Sequence, residues 1–358
     1  MNIGIIGLPQ TGKKTLFRLL AGEGALPPHL EPRAVVRGVA EVLDPRLDRL
    51  FEIFRPRKET RARLDFVLLP KIEEHAVSRD DIFRDMGEID AFVHVVRAFA
   101  DASVYHIWGA PDPAREVEYA HTELVLHDHL FVEKRLERLE SDLKKFKDER
   151  RMKERDLLLR LRAHLDEEKP LRQCEISEAE EAMIASYPLL TRCETIVALN
   201  VGDEQAGDTA LARELEARFG AKLGLSFVEI PMRLEAEIDQ LDSAQERAAF
   251  MAEMGIEDTA LHMLTMHCIG ALGLISFFTV APIEVRHWFV KRGSLAPRAA
   301  GVIHSDLERG FIRAEVMHYE DIDALGSEEK VKAAGKYHVK GKDYVVQDGD
   351  MLFIRFSV

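Results

Sequence analysis

The sequence predicts an α/β protein with a largely parallel main sheet, a helical insertion, and a separate small α+β domain towards the C-terminal end. Three observations carry this. Short apolar runs alternate with helical stretches over most of the chain, one long charged segment interrupts the alternation, and from about Phe277 short β-like runs punctuated by Gly and Asp turns replace it.

Residues 2–6 form the first apolar run, and "TLFRLLAG" places Leu16, Leu19 and Leu20 at helical spacing, so the opening reads as strand, loop and helix. "LDFVLL" (64–69), "AFVHVVRAF" (91–99), "TIVALN" (195–200) and "SFVEI" (226–230) read as buried strands. A charged helical insertion begins near Thr122, where Leu136, Leu139, Leu143 and Phe146 keep three-four spacing. The pattern breaks at Arg150 and Lys153 and resumes at Leu157, Leu161 and Leu165, as expected of a helical hairpin. Its tip, "KKFKDERRMKER", is either a solvated helix surface or a prong that contacts RNA. The C-terminal runs "FFTV", "VRHWFV", "FIRAEV", "YVVQ" and "MLFIRF" follow, with "QDGD" as a strong turn before the last.

At 358 residues the chain is long enough for two or three domains, and 46% hydrophobic with 31% charged residues is a globular composition. No apolar run reaches membrane-spanning length, and the first twenty residues carry glycines and a GK pair in place of a secretory leader, so a cytoplasmic protein without membrane contact is expected. Cys174, Cys193 and Cys268 have no metal-ligand spacing, and the histidines, among them His127 and His129, His262 and His267, form no HExxH frame. The net charge of −14 repels phosphate globally, so nucleic acid must be met by local basic patches such as Lys144, Lys145, Lys147, Arg150 and Arg151. Arg286, Lys291, Arg292 and Arg298 form a second candidate cationic face.

The stretch "GLPQTGKKT" fits G-x-x-x-x-G-K through Gly7, Gly12 and Lys13, with a strand before and a helix after. In such a loop the glycines turn backbone amides towards phosphates, the helix offers its positive N-terminus, and the lysine reaches the terminal phosphates. Lys14 stands where a hydroxyl would ligate magnesium, and Thr15 points about 100° away from that direction. The same pattern is also that of a glycine turn joining strand to helix without a ligand.

Taken with "LDPRLDRL", "EIDAFVHVVRAF", "LEAEIDQL", "LISFFTVAPIEVRHWFVKRG", "AGVIHSDLERGFIRAEV" and "GKDYVVQDGDMLFIRF", the loop resembles that of the YchF family of Obg-related P-loop NTPases, over nearly the whole chain. The resemblance implies a P-loop G domain (1–121 and 191–275), an inserted α-helical coiled-coil hairpin (122–190) and a C-terminal TGS domain of β-grasp type (276–358). It also implies ATP or GTP as ligand and the ribosome or RNA as partner. Leu8, Pro9, Gln10, Thr11, Gly12, Lys13, Lys14 and Thr15 are then the phosphate contacts. Asn200 and Asp203 match the family's Asn-x-x-Glu base motif, with Glu204 beside them, and Met232, within Ile230–Arg233, supplies backbone to the base.

The departures concern the metal. The resemblance sets Lys14 at the hydroxyl position, His29 at the first-switch threonine, Leu68 at the second-switch aspartate and Lys71 at its glycine. Asp65 lies three residues too early, on the other strand face, to replace that aspartate. These positions share the work of holding magnesium and the γ-phosphate, so magnesium is in question and hydrolysis is expected to be weak or lost, with the Lys14 ammonium neutralising phosphate instead. An active ATPase or GTPase with relocated groups, and an interaction module that binds no nucleotide, are the alternatives. Base choice and oligomeric state are left open.

Overall fold

The computed structural model describes residues 1–29, 31, 34–70, 88–144, 148–241, 243–254, 256 and 258–357. The chain divides into two compact units, one of Met1–Ala40 with Asp65–Cys268, the other of Glu41–Leu64 with Ile269–Val358. Lys71, Lys145, Phe146 and Lys147 lie outside the described residues.

The strands in chain order are β1 (Asn2–Ile6), β2 (Val36–Glu41), β3 (Lys58–Thr60), β4 (Arg63–Leu68), β5 (Ala91–Arg97), β6 (Glu194–Asn200), β7 (Leu225–Ile230), β8 (Leu274–Val280), β9 (Glu284–Lys291), β10 (Phe311–His318), β11 (His338–Lys340) and β12 (Asp350–Phe356). The first unit holds a six-stranded sheet in the order β2-β4-β1-β5-β6-β7, with β4, β1, β5, β6 and β7 parallel. All seven residues of β5 are buried, which accounts for its continuous apolar run. The helix α1 (Lys13–Ala21) leaves the phosphate-loop motif and buries Leu16 and Phe17.

The hairpin departs from the expected boundary. Its first arm, α3 (Pro113–Leu143), starts nine residues before Thr122, capped by Asp112, whose carboxylate accepts from the Arg115 amide, and with Pro113 at its first position. The early turns bury Val117, Ala120 and Leu124 among residues of the sheet, and the later turns pack Val132, Leu136 and Leu139 against Leu157, Leu158 and Leu161 of α4 (Glu149–Asp166). One helix therefore serves both sheet and hairpin, which spacing alone could not separate. Asp128, fully buried on α3, accepts from the amides of Leu190 and Thr191 and from the Thr191 hydroxyl.

The second unit is the expected α+β domain, a mixed sheet in the order β11-β10-β12-β8-β9-β3. Period-two alternation gives it two cores. Phe277, Val316 and Leu352 pack with Ala296, Ala299 and Ala300, whereas Phe278, Met317 and Met351 pack with Leu47 and Leu50 of α2 (Pro45–Phe54). The segment 41–64, which the sequence reading left inside the nucleotide-binding domain, thus supplies this unit with a helix and with β3, parallel to β9. Asp44 caps α2, and Arg46 spans Asp44 and Asp348, whose other carboxylate oxygen accepts from the Ser276 amide at 2.8 Å. His287, buried in the same network and bonded to the Ser276 hydroxyl at 2.8 Å, is pushed down to about 4 by burial. Among the described residues no helix is long and apolar enough to cross a membrane.

Leu50→Ala is expected to destabilise the second unit by about 2–5 kcal/mol. Hydrogen exchange should show β8 and β12 amides losing protection while β1 amides keep theirs; protection lost equally from β1 would refute the assignment of α2 to the second unit.

Candidate functional site

The registers Ile5↔Leu68, Ile6↔His94, Arg97↔Asn200 and Asn200↔Ile230 bring the carboxyl ends of five parallel strands to one edge of the first unit. Open α/β sheets bind ligands at such an edge. Here it carries a cavity of about 900 Å³ lined by residues 9–15, 31, 34, 68–70, 99–101, 104, 200–204, 232 and 233.

The loop after β1 depends on two glycines. Gly7 has φ 147°, and a Cβ there would stand 2.4 Å from the Val95 carbonyl oxygen; Gly12 has φ 106°, and a Cβ would stand 2.5 Å from Asn200 Nδ2 and 2.9 Å from Met232 Sδ. Gln10 is also left-handed, at φ 64°. Asn200 Nδ2 donates to the Thr11 carbonyl at 2.9 Å, tying the loop to the end of β6. The buried Lys13 ammonium donates to the carbonyls of Gly7 and Leu8 at 2.6 and 2.7 Å. The lysine is therefore held on its own loop by acceptors that an anionic oxygen could replace.

Beneath the loop lies buried polar material that the motif does not announce. His94 on β5 is pushed down to about 3, first by burial and then by the Lys13 charge, and its Nε2 has no hydrogen-bond partner. Glu116, in the first turn of α3, pairs with His106 at 2.8 Å, and burial holds its carboxyl above the usual range. Arg97, 1% exposed, donates to the carbonyls of Phe99, Asp101 and Val104, and so shapes the loop that forms one cavity wall. An arginine at the end of the apolar run "AFVHVVR" was the available signal for that wall.

Of the residues singled out from sequence, Pro9, Gln10, Thr11, Gly12, Lys13, Lys14, Thr15, Asn200, Asp203 and Met232 all line the cavity. Leu8 does not; it is 1% exposed and packs with Ile6, Val67 and Phe92 in the core. Lys14 and Thr15 are exposed on the first turn of α1. The wall residues Phe99, Ala100, Asp101 and Val104 escaped the sequence reading as site residues.

The groups at the metal positions do not fit a divalent cation. Lys14 brings a positive charge, Leu68 is a buried hydrocarbon at 2% exposure, and His29 is exposed and outside the cavity lining. Asp65 pairs with Asn2 at the start of β1, 3.6 Å from the amino terminus, whereas Leu68 pairs with Ile5 near the cavity edge. At the hairpin, Arg151 pairs with Asp142 and Asp148, and Lys153 with Glu149, so part of the basic charge there is neutralised locally; Lys144 and Arg150 are exposed.

The family model YchF-GTPase_C, described as a protein of unknown function (DUF933), matches residues 274–357. The chain is 36% identical over 373 residues to the ribosome-binding ATPase YchF of Bacillus subtilis (strain 168), with 100% of each chain covered. It is 33% identical over 367 residues to Obg-like ATPase 1 of Oryza sativa subsp. japonica, covering 100% of this chain and 92% of the other. The solved structure of the Schizosaccharomyces pombe YchF GTPase matches at a TM-score of 0.83 and 27% identity, covering 99% of this chain and 97% of that one.

The depressed His94 sets a pH dependence. The unfolded chain takes up this proton near pH 6.5 and the folded chain only near 3, so His94 favours folding fully above pH 6.5 and that advantage is lost as pH falls towards 3. The slope approaches about 1.4 kcal/mol per pH unit. Urea titrations at pH 6.5 and 4.5 should show His94→Phe losing less stability on acidification than the wild type; identical losses would contradict it.

Proposed function

Because the chain belongs to the YchF family, we propose that its cavity binds a purine nucleoside triphosphate, with weak or absent hydrolysis, and that the protein acts as a ribosome-associated factor. The observation that supports this most is the cradle itself. Left-handed Gly12, the Asn200 tether and Lys13, held on the loop carbonyls, meet at a cavity of nucleotide size.

Binding would move Lys13 from the carbonyls of Gly7 and Leu8 to the terminal phosphates, while the amides at the start of α1 meet phosphate oxygens. Thr15, exposed in the cavity lining, would contact the α-phosphate, as the family resemblance implies. Lys14 brings a second ammonium to the same turn, so neutralisation of the phosphates comes from the chain itself. Phosphoryl transfer relies on positioning and on charge stabilisation at the transferring group. The buried Leu68 offers neither a ligand nor a hydrogen bond there, which favours a binding protein over a fast hydrolase.

The family setting extends the reading to the ribosome, since the Bacillus subtilis relative is named as ribosome-binding. The exposed Lys144 and Arg150 are the described hairpin residues best suited to RNA phosphate, joined by Arg151 once its acidic partners exchange.

Titration of ATP and GTP into nucleotide-free protein, with magnesium and then with chelator, tests the site. Affinities for the bound nucleotide are expected to agree within about threefold in the two buffers. Lys13→Ala should weaken binding by at least about tenfold. Binding only with magnesium, followed by product release, would establish the alternative of an active NTPase with relocated groups. For the partner, Lys144→Glu with Arg150→Glu should reduce cosedimentation with ribosomes; unchanged cosedimentation would remove the hairpin from the interface.

A further inference from the structure

We propose that the buried carboxyl of Glu116 is a proton-binding site coupled to the cavity, which takes up a proton when an anionic ligand draws Lys13 off its own loop. The inference rests on the nucleotide-binding reading and adds a second, linked ligand to it. Phe92 and Val96, the neighbours of His94 on one face of β5, pack with Ala120 and with Val117 of α3, so that face turns His94 towards the helix whose first turn holds Glu116. One oxygen of Glu116 meets His106 Nε2 at 2.8 Å, and the other has no hydrogen-bond donor. The Trp108 amide donates to His106 Nδ1 at 3.3 Å, which leaves the ring's proton on Nε2 and the imidazole neutral. The bond from His106 therefore brings Glu116 a donor without a compensating charge.

Lys13 supplies positive charge that acts on Glu116 and on His94 alike. Other cations on these elements are engaged elsewhere: Arg97 on the wall carbonyls, Arg115 over the Trp108 ring at 4.3 Å, and Arg218 with Glu118. The neighbouring acids are Asp101, bonded to Ser103, Asp112, which caps α3, and Glu123, buried further along the helix. A carboxylate so placed leans on Lys13 for its charge balance. Movement of Lys13 to the phosphates removes that cation and brings anionic oxygens to the loop, and both changes favour the protonated carboxyl. Burial already holds the Glu116 carboxyl above its usual range, against the His106 bond and the Lys13 charge. The proton comes from solvent and settles on the oxygen that lacks a donor, so the His106 bond to the other oxygen is kept. By linkage, binding that takes up a proton strengthens as pH falls and is weakest where Glu116 must stay ionised.

Calorimetric titration of ATP and GTP into the full-length, nucleotide-free protein at about pH 6, in Pipes and in imidazole buffer, tests the coupling. The dependence of the heat on buffer ionisation counts the protons exchanged. The wild type should take up roughly half a proton or more per bound nucleotide beyond the count for Glu116→Gln, a comparison in which the ligand's own ionisation cancels. At about pH 8 Glu116→Gln should also bind nucleotide at least about threefold more tightly than the wild type, because its neutral amide does not hold Lys13 back. A merely structural role for Glu116 would leave the variant weaker at every pH. If Glu116→Gln fails to fold, the infrared difference spectrum of the wild type on addition of nucleotide takes its place and should gain a protonated-carboxyl band. Equal proton counts in the two proteins, or no such band, would overturn the proposal while leaving nucleotide binding intact. If neither ATP nor GTP binds, the nucleotide-binding reading itself falls.

Discussion

The close approach of the glycine loop after β1 to the end of β6 is the constraint on which the cavity depends. At Gly12 the backbone passes so near Asn200 and Met232 that a Cβ would overlap both, and the Asn200 amide fixes that approach by bonding the Thr11 carbonyl. One close approach therefore joins the loop, the end of β6 and the helix after β7. Substituting either partner would disturb the loop and the strand end together, because both are built on the same few atoms.

Under the loop the structure tolerates groups that a simple core would exclude. His94 stays neutral because burial and the Lys13 charge both oppose its protonation, and Glu116 is satisfied on one oxygen by His106. Arg97 is buried but spends its donors on the carbonyls of the next loop. Buried polar groups of this kind are costly unless paired, and they gather where a backbone must be held in an irregular shape. Here that shape is the cavity wall.

Near Leu68 the chemistry changes. A parallel sheet gathers its carboxyl strand ends at one edge, so the residues there shape both the core and the cavity. Leu68 is buried yet lines the cavity with hydrocarbon, Asn200 lines it with an amide tied to Thr11, and Lys14 adds positive charge to the same lining. Leu68 and Lys14 thus bring hydrocarbon and positive charge to this part of the lining, neither of which ligates a divalent cation.

Much of this was legible in one dimension. Apolar alternation specifies strands and helices locally, and G-x-x-x-x-G-K fixes a loop because its backbone angles exclude other residues; hence the α/β unit, the hairpin, the C-terminal sheet and the loop side of the cavity lining could be read from sequence. The family could be read as well, from C-terminal stretches such as "GKDYVVQDGDMLFIRF". Tertiary structure alone decided what depends on long-range packing. It moved Glu41–Leu64 to the second unit, because Leu47 and Leu50 find their apolar partners on strands more than two hundred residues away. It extended α3 back to Pro113, withdrew Leu8 into the core, and raised the wall at 99–104 around Arg97. Local pattern states what a residue prefers; which face it meets is settled when distant segments compete for the same buried surface.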